Sequence, residues 1–347
     1  MDREKVTIVG AGNQGLAMAA YLGRNHVGCY LFNRTECHIS KLLETKEIIC
    51  KGIWSDNIKV CDVSSRIEDV LQKTILVTTP AYAHREIASL LAGYMDSSYT
   101  VLLSPGKVFG VIDFVETLKE VGCKELPLVA ECQTTMCASR RIGEDRIKVY
   151  GIKKDIPIAA ENVGMVMERM PECIRKCYRK VDSFIETSFG NIGMVLHPLP
   201  MLLNLGFIDA GRTFKYYREG ITPAIAALIE RLDYERLEVA RKLGYELESI
   251  MDWMKRNYDT DGERLYEHIQ ANRCYENIMA PVSIHNRFID EDIPYGLVPL
   301  EDTAKKLNIE VPIATAIISF ANMIMGKDYR AEGRLWKYCT QIPNIQD

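Results

Sequence analysis

No apolar run in this sequence approaches the roughly 20 residues that a membrane span needs, so no membrane partner is expected. An excess of basic charge is missing as well. The 43 Lys and Arg face 47 Asp and Glu, a formal net charge of −4, which leaves no electrostatic footprint for nucleic acid. Cys-x-x-Cys does not occur among the 11 cysteines. Cys37-His38 and the Cys173/Cys177 pair lack the further ligands of a zinc site, and no metal is expected. Several cysteines, among them Cys29, Cys61 and Cys132, lie in or beside apolar strands, and the set reads as reduced, mostly buried thiols of a cytoplasmic protein. The chain enters its first strand at once, so no signal peptide is expected. Internal repeats, low-complexity tracts and flexible linkers are absent too. What remains is a chain of 347 residues, 47% hydrophobic, large enough for two domains.

The strongest positive signal is the opening. The β-branched run Lys5-Val6-Thr7-Ile8-Val9 stops at Gly10-Ala11-Gly12-Asn13-Gln14-Gly15, and an Ala-rich helical run, Leu16 to Leu22, follows. Strand, tight turn and helix is the context in which Gly-x-Gly-x-x-Gly binds a dinucleotide. Gly10 permits the turn, Gly12 lets the backbone approach the pyrophosphate, and Gly15 lets the helix pack close to the strand. The helix N-terminus, with Asn13 and Gln14 in its first turn, faces the phosphates.

A second strand, Cys29 to Phe32, ends in Asn33-Arg34-Thr35. An NAD-selective fold usually places Asp or Glu there to hold the ribose 2′-hydroxyl. No acid sits there, and Glu36 is the nearest. Asn33 can hydrogen-bond a 2′-phosphate and Arg34 can pair with it, so NADP(H) is favoured over NAD(H).

The first half alternates strand and helix. Ile58–Cys61, Thr74–Thr79, Thr100–Leu103, Leu126–Glu131 and Ile147–Gly151 are short apolar runs separated by helical patterns. They imply an α/β, Rossmann-type, doubly wound and mostly parallel sheet. From about Asn191 strand signals fade, and helices are expected over Pro223–Leu243 and Val311–Met325. The expected division is residues 1–185 for dinucleotide binding and 186–347 for a mainly α-helical substrate domain. Its apolar helices read equally as a core or as a homodimer face.

Ligands of such sheets sit beyond the carboxyl ends of the strands. Thr79-Pro80-Ala81 should pass beside the cofactor. Lys107, after Ser104-Pro105-Gly106, is either a partner for a substrate carboxylate or a surface turn residue. Gln133 and Thr134 carry polar groups just after an apolar strand. In the second half, His197 stands in an apolar run and is either a packed core residue or a proton carrier at neutral pH. Asp290, Glu291 and Asp292 precede a Pro294-Tyr295-Gly296 turn, and any of the three could orient such a histidine. Spacing does not choose among them.

Taken in order, these segments resemble the opine dehydrogenases, the group that includes octopine and carboxyethyl-norvaline dehydrogenases. The resemblance spans nearly the whole chain. It rests on the glycine motif, Thr79-Pro80-Ala81-Tyr82-Ala83-His84, Pro105-Gly106, Asn191 with His197-Pro198, and Met201-Leu202-Leu203-Asn204. Tyr216-Tyr217-Arg218-Glu219-Gly220, Asp233-Tyr234-Glu235-Arg236 and Glu291 to Leu297 complete it. The resemblance implies a His–Asp pair on His197 and Asp292, and substrate-binding roles for Gln133, Thr134 and Asn191. The chain departs from the pattern at Lys107, where the family varies, and at Asn33-Arg34-Thr35, where several relatives use NAD.

The implied partners are small molecules, an amino acid and an α-keto acid such as pyruvate, condensed to an imine and reduced by NAD(P)H, or the reverse oxidation. Two other readings keep the dinucleotide. A 2-hydroxy-acid enzyme of ketopantoate or glycerol-phosphate type would carry a catalytic lysine in the second half, where only scattered lysines such as Lys215 occur. A dinucleotide-binding sensor would bind cofactor without turnover.

Overall fold

The computed structural model describes residues 4–335. The chain divides into two compact units, one ending at Ser188 and one beginning at Phe189.

In the first unit the strands in chain order are β1 (Lys5–Val9), β2 (Gly28–Phe32), β3 (Glu47–Gly52), β4 (Asp56–Lys59), β5 (Asp62–Ser64) and β6 (Thr74–Val77). They continue with β7 (Thr100–Leu103), β8 (Leu128–Cys132), β9 (Cys137–Arg141), β10 (Arg146–Ile152), β11 (Ile156–Ala160) and β12 (Tyr178–Lys180). The larger sheet has the order β12-β11-β8-β7-β6-β1-β2-β5. Neighbours from β5 to β8 are parallel. β11 runs antiparallel against β8, with β12 parallel to β11. β6 and β7 are buried at every position, which is why they read as unbroken apolar runs. The chain moves outward from β1 through β2 to β5, then returns to the other flank of β1 at β6. That reversal makes the carboxyl ends of β1 and β6 the switch point at which such sheets bind ligands.

Two expected strands belong elsewhere. Asp56–Lys59 and Arg146–Ile152 lie in a second, four-stranded sheet of order β4-β3-β10-β9. The pairs β3–β4 and β9–β10 are antiparallel, and β3–β10 is parallel. The physical reason was present in the pattern. Ile147 and Val149 alternate with exposed Arg146, Lys148 and Tyr150, the period-2 signature of a sheet covered on one face.

The second unit is helical. Its longest helix, Pro223–Lys242, starts where Thr222 accepts a hydrogen bond from the Ile225 N–H and Pro223 fills the first helical position. The expected Val311–Met325 helix spans Pro312–Met325 and stops at Gly326, in the left-handed region. Its first-turn Ile313 and Ala314 N–H groups donate to the Glu235 carboxylate at 2.7 and 2.9 Å. Burial pushes the Glu235 carboxyl up, and these two donors oppose that shift. The helix buries Ala314, Ile317, Ile318 and Ala321, and leaves Phe320 and Met323 exposed.

A buried ion pair braces the long helix of this unit. Arg236 is fully buried. Its Nε donates to Asp233 Oδ1 at 2.8 Å, Nη1 to the Phe189 carbonyl at 2.7 Å and Nη2 to the Glu248 carbonyl at 2.8 Å. Asp233 Oδ2 also accepts from the Ile250 N–H, fixing the start of the helix Ile250–Tyr258. Removing one partner of a buried pair strands the other charge. Asp233→Ala should therefore cost about 3–5 kcal/mol in urea unfolding. A loss below about 1 kcal/mol would mean that carbonyls alone satisfy Arg236.

Candidate active site

The glycine turn joins β1 to a helix over Asn13–Arg24. Gly10 has φ +104°, a region that favours glycine. A Cβ on Gly15 would lie 1.8 Å from the Gly10 carbonyl oxygen, so helix and turn touch backbone to backbone. Gly12 is different. Its φ of −79° suits any residue, and a Cβ there would meet no protein atom within 4 Å. Neither packing nor backbone conformation requires glycine at this position. The helix has no side-chain N-cap and no acid in its first turn, so first-turn N–H groups are presented as an anion site. Beside the turn, Thr78 Oγ1 donates to the Val9 carbonyl at 2.9 Å, and its other geometric partner is the Gly10 carbonyl at 3.1 Å. The buried Thr79 Oγ1 has no hydrogen-bond partner in the protein. Pro80 precedes a single 3-10 turn, Ala81–Ala83. These residues fit a dinucleotide at the switch point.

Other residues expected at this site are engaged by the protein itself. Asn13 Oδ1 accepts from the Arg141 N–H at 2.6 Å. Gln14 is buried, and in the amide orientation that satisfies it, it bonds the backbone of Met136 and Cys137. Their side chains tie the helix to β9, which leaves their backbone N–H groups for a phosphate. Asn33 Oδ1 accepts from the Ala11 N–H at 3.1 Å, and Nδ2 donates to the Thr35 carbonyl at 2.9 Å. Asn33 thus stitches the glycine turn to the end of β2. Arg34 is exposed and ion-paired with Glu86, on the helix His84–Leu91. Glu86 holds the Arg34 guanidinium pKa up.

At the neighbouring strand ends, Lys107 is 5% exposed with φ +62°, which rules out the surface-turn reading. Phe109, two residues on, has φ +59°. Two non-glycine residues in the left-handed region within three positions mark a strained segment. It is held by the fully buried Glu131, whose carboxylate accepts from the Val111 N–H at 2.8 Å, Thr187 Oγ1 at 2.6 Å and Ser188 Oγ at 3.1 Å. Ser188 Oγ in turn accepts from the Phe109 N–H at 2.9 Å. Gln133 and Thr134 follow β8, and Thr134 Oγ1 accepts from Lys153 Nζ at 3.0 Å. Burial pushes the adjacent Cys132 thiol up to about 11, so it is not a nucleophile at neutral pH.

The second unit answers the question that spacing left open. His197 Nδ1 lies 2.7 Å from Asp292 Oδ2. The Asp292 side chain is 1% exposed and that of His197 is 13% exposed. Asp290 accepts instead from the Tyr329 hydroxyl at 2.9 Å. His197 begins the short helix Pro198–Leu203. The residues after Asp292 do not form a turn. Ile293–Leu297 is a π-helix, with the Leu297 N–H donating to the Asp292 carbonyl at 3.1 Å. Such insertions are rare and concentrate at functional sites. Asn191 is 5% exposed. Its Oδ1 accepts from the Gly193 N–H at 3.1 Å, and its Nδ2 is buried without a partner.

Four further contributors escaped the sequence reading. A Cβ on Gly193 would lie 3.1 Å from Asp292 Oδ1 and 3.3 Å from His197 Nδ1, so a side chain there would press on the pair. Phe288 stacks on the His197 ring at 4.0 Å. The Tyr216 hydroxyl donates to the His197 carbonyl at 2.6 Å, and burial holds that phenol well above its ordinary pKa, keeping it a donor. Arg287 lies 5.9 Å from the Phe288 ring and makes no ion pair among the described residues. The available signals were Asn-x-Gly ahead of the histidine, and Arg-Phe five residues ahead of Asp292.

A glycine turn at a sheet switch point, with a carboxylate-oriented histidine in a helical unit, is the equipment of a nicotinamide-dinucleotide-dependent dehydrogenase. A family model, NAD/NADP octopine/nopaline dehydrogenase, alpha-helical domain, matches residues 180–325. The chain is 29% identical to an opine dehydrogenase of Arthrobacter sp. (strain 1C), covering 96% of this chain and 94% of that protein. It is 26% identical to the vitopine synthase of Allorhizobium ampelinum, covering 95% and 93%. The structure of octopine dehydrogenase with NADH and L-arginine superimposes with a TM-score of 0.77 at 18% identity, covering 97% and 96%. Residues 180–325 match the helical domain of the octopine/nopaline dehydrogenases, and the chain resembles the opine dehydrogenases over nearly its whole length.

The two glycines separate ligand from packing. Gly12→Ala should fold normally, with a melting temperature within about 2 °C of wild type, and bind NAD(P)H at least about tenfold more weakly. Gly15→Ala should lower the melting temperature by about 5 °C or more, because its Cβ meets backbone. Equal behaviour of the two variants in both assays would refute this division.

Proposed function

We propose that the protein joins the amino group of an amino acid to an α-keto acid, pyruvate being the simplest, and reduces the resulting imine to a secondary-amine dicarboxylate, or runs the reverse oxidation. The single observation that carries this reading is the buried Asp292 carboxylate on His197 Nδ1 at 2.7 Å, within the segment matched by the family's helical domain. The names of the relatives support the same chemistry, since an opine dehydrogenase and octopine dehydrogenases are among them.

In the condensing direction the amine adds to the keto carbon, the carbonyl oxygen leaves as water, and the imine carbon gains a hydride. The nicotinamide supplies that hydride. The residues supply proton transfer and orientation. Asp292 accepts from Nδ1–H, which fixes the imidazole tautomer and directs proton exchange through Nε2. His197 gives a proton to the departing oxygen and recovers one in the opposite direction. Asp292 stabilises the imidazolium between these steps. Gly10, Gly12 and Gly15, the backbone of Asn13 and Gln14, and Thr79-Pro80-Ala81 hold the dinucleotide. Carboxylates of the two substrates need cations, and each unit has one near its polar residues. Lys107 accompanies Gln133 and Thr134, and Arg287 accompanies Asn191 and His197. The free thiols among the described cysteines suit a reducing, cytoplasmic setting for amino acid metabolism.

NADP(H) is the preferred cofactor in this reading, supported by the absence of an acid at the end of β2 and by the exposed Arg34 there. Arg34→Asp should weaken NADPH binding at least about tenfold, roughly 1.4 kcal/mol, and leave NADH nearly unchanged. A wild-type protein that binds NADH tenfold more tightly than NADPH would end the preference.

The catalytic reading stands on one assay. NAD(P)H oxidation should require keto acid and amino acid together. Consumption with keto acid alone would point to a hydroxy-acid dehydrogenase, and binding without turnover to a sensor. His197→Ala should cut turnover about 100-fold or more with cofactor affinity retained. Asp292→Asn should do smaller damage, and the double variant should be little worse than His197→Ala because the pair acts as one unit. Thermal melts on the same samples exclude unfolding as the cause. Near-normal turnover of His197→Ala would remove the mechanism.

A further inference from the structure

Arg141 is the last residue of β9, in the four-stranded sheet, yet it reaches into the glycine turn. Its Nη1 donates to the Ala11 carbonyl at 3.0 Å, inside Gly10-Ala11-Gly12. Nη2 donates to the carbonyls of His38 at 2.6 Å and Glu144 at 2.9 Å, and Nε to the carbonyl of Gly143 at 2.9 Å. The Arg141 N–H bonds Asn13 Oδ1, and Ser139 Oγ donates to the Asn13 carbonyl at 3.0 Å. The guanidinium is therefore fixed by four carbonyls between the glycine turn and the segment that follows β2.

These partners are neutral dipoles, and none cancels the charge. The nearby acids act on it at longer range and hold closer partners of their own. Asp145 pairs with Lys41 at 2.9 Å, and Glu144 accepts from Ser40 Oγ at 3.1 Å. Arg141 forms no ion pair among the described residues. Four of its five side-chain N–H groups are used, and the fifth is on Nη1, the nitrogen already bonded to the glycine turn. Burial disfavours the charged guanidinium, the Glu144 and Asp145 carboxylates offset this only in part, and a fork held in place is prepared for phosphate at little further ordering cost. The same spot presents the first-turn N–H groups of the helix Asn13–Arg24, which has no acid in that turn.

We propose that Arg141 is a phosphate-binding residue of the dinucleotide site, delivered by the four-stranded sheet. Its partner is a phosphate group of the cofactor, and its bond to the Ala11 carbonyl points to the pyrophosphate. This rests on the dinucleotide reading above. Arg141 completes the positive end of the helix with a full charge from a different sheet, and the contacts of Asn13 with Ser139 and Arg141 of β9 set its position.

The test is direct cofactor binding by calorimetry, with NADH and NADPH as separate probes, on the full chain at low and high salt. Arg141→Met should weaken both cofactors about tenfold or more and flatten the salt dependence of binding, while Arg141→Lys should recover a large part of the loss. A loss confined to NADPH also supports a phosphate role and assigns it to the 2′-phosphate. Binding of Arg141→Met within twofold of wild type would overturn the proposal. So would equal losses in the Met and Lys variants with an unchanged salt dependence, which would make Arg141 only a brace for the turn. If the wild-type protein binds neither cofactor, the dinucleotide reading itself fails, a result distinct from a wild type that binds and a Met variant that binds equally well.

Discussion

The second unit is built around a carboxylate that water cannot reach. Asp292 is 1% exposed, and an isolated charge there would be costly. His197 Nδ1 answers it at 2.7 Å, and the surroundings preserve that contact. Gly193 lacks a side chain because one would press on both partners. Phe288 closes one face of the ring, and Tyr216 fixes the backbone of His197 from behind. The π-helix that follows Asp292 offsets the chain by one residue at the position where the carboxylate must point inward. A Cβ on Gly296 would lie 2.6 Å from Met194 Cβ, so this segment packs tightly on the helix Gly193–Leu196. Orientation of one imidazole thus accounts for several otherwise unrelated oddities of local structure.

The first unit solves the complementary problem of holding negative charge without a metal-ligand cluster among the described residues. Backbone does most of this. Gly15 brings the helix onto the turn, Gly12 leaves the approach open, and the helix dipole supplies partial positive charge. The four-stranded sheet is joined to this cradle by hydrogen bonds from Asn13, Gln14 and Arg141. The polar side chains of the glycine motif therefore act as fasteners between two sheets, and the recognition surface is mainly main chain.

Legibility in the sequence followed the range of the interactions. The glycine turn, the buried strands β6 and β7, and the helices Pro223–Lys242 and Pro312–Met325 are decided by neighbours in sequence, and all could be read. The partner of His197 could not, because 95 residues separate it from Asp292 and three acids stand within three positions. Resemblance to a family chose Asp292; the geometry gives the reason, since Asp290 is bonded to Tyr329 and Lys327. The second sheet was misassigned because Ile147 and Val149 look like any short apolar run unless the polar residues between them are weighed. Lys107 was ambiguous because lysine after Pro-Gly usually faces water. Here burial at 5% and a left-handed backbone place it in a strained loop above the buried Glu131. Arg287 and Arg141 were missed for one reason: a cation's role depends on which acids are near it, and sequence does not list them.

The same reasoning bears on cofactor choice. Arg34 and Glu86 are 69% and 53% exposed and form an ion pair at the end of β2. Solvent screens such a pair, so it contributes little to stability. A 2′-phosphate carries more charge than one carboxylate and can compete for the guanidinium, but it must then lie near Glu86. A ribose 2′-hydroxyl can donate to that carboxylate and leave the ion pair intact. Attraction to Arg34 and repulsion from Glu86 therefore oppose each other, and the margin between the two dinucleotides is a difference of small surface energies. Arg141 is fixed by four carbonyls and forms no ion pair among the described residues, so Glu144 and Asp145 temper its charge only at longer range. In the proposed reading, grip on the cofactor and choice between cofactors rest on different arginines in different electrostatic settings.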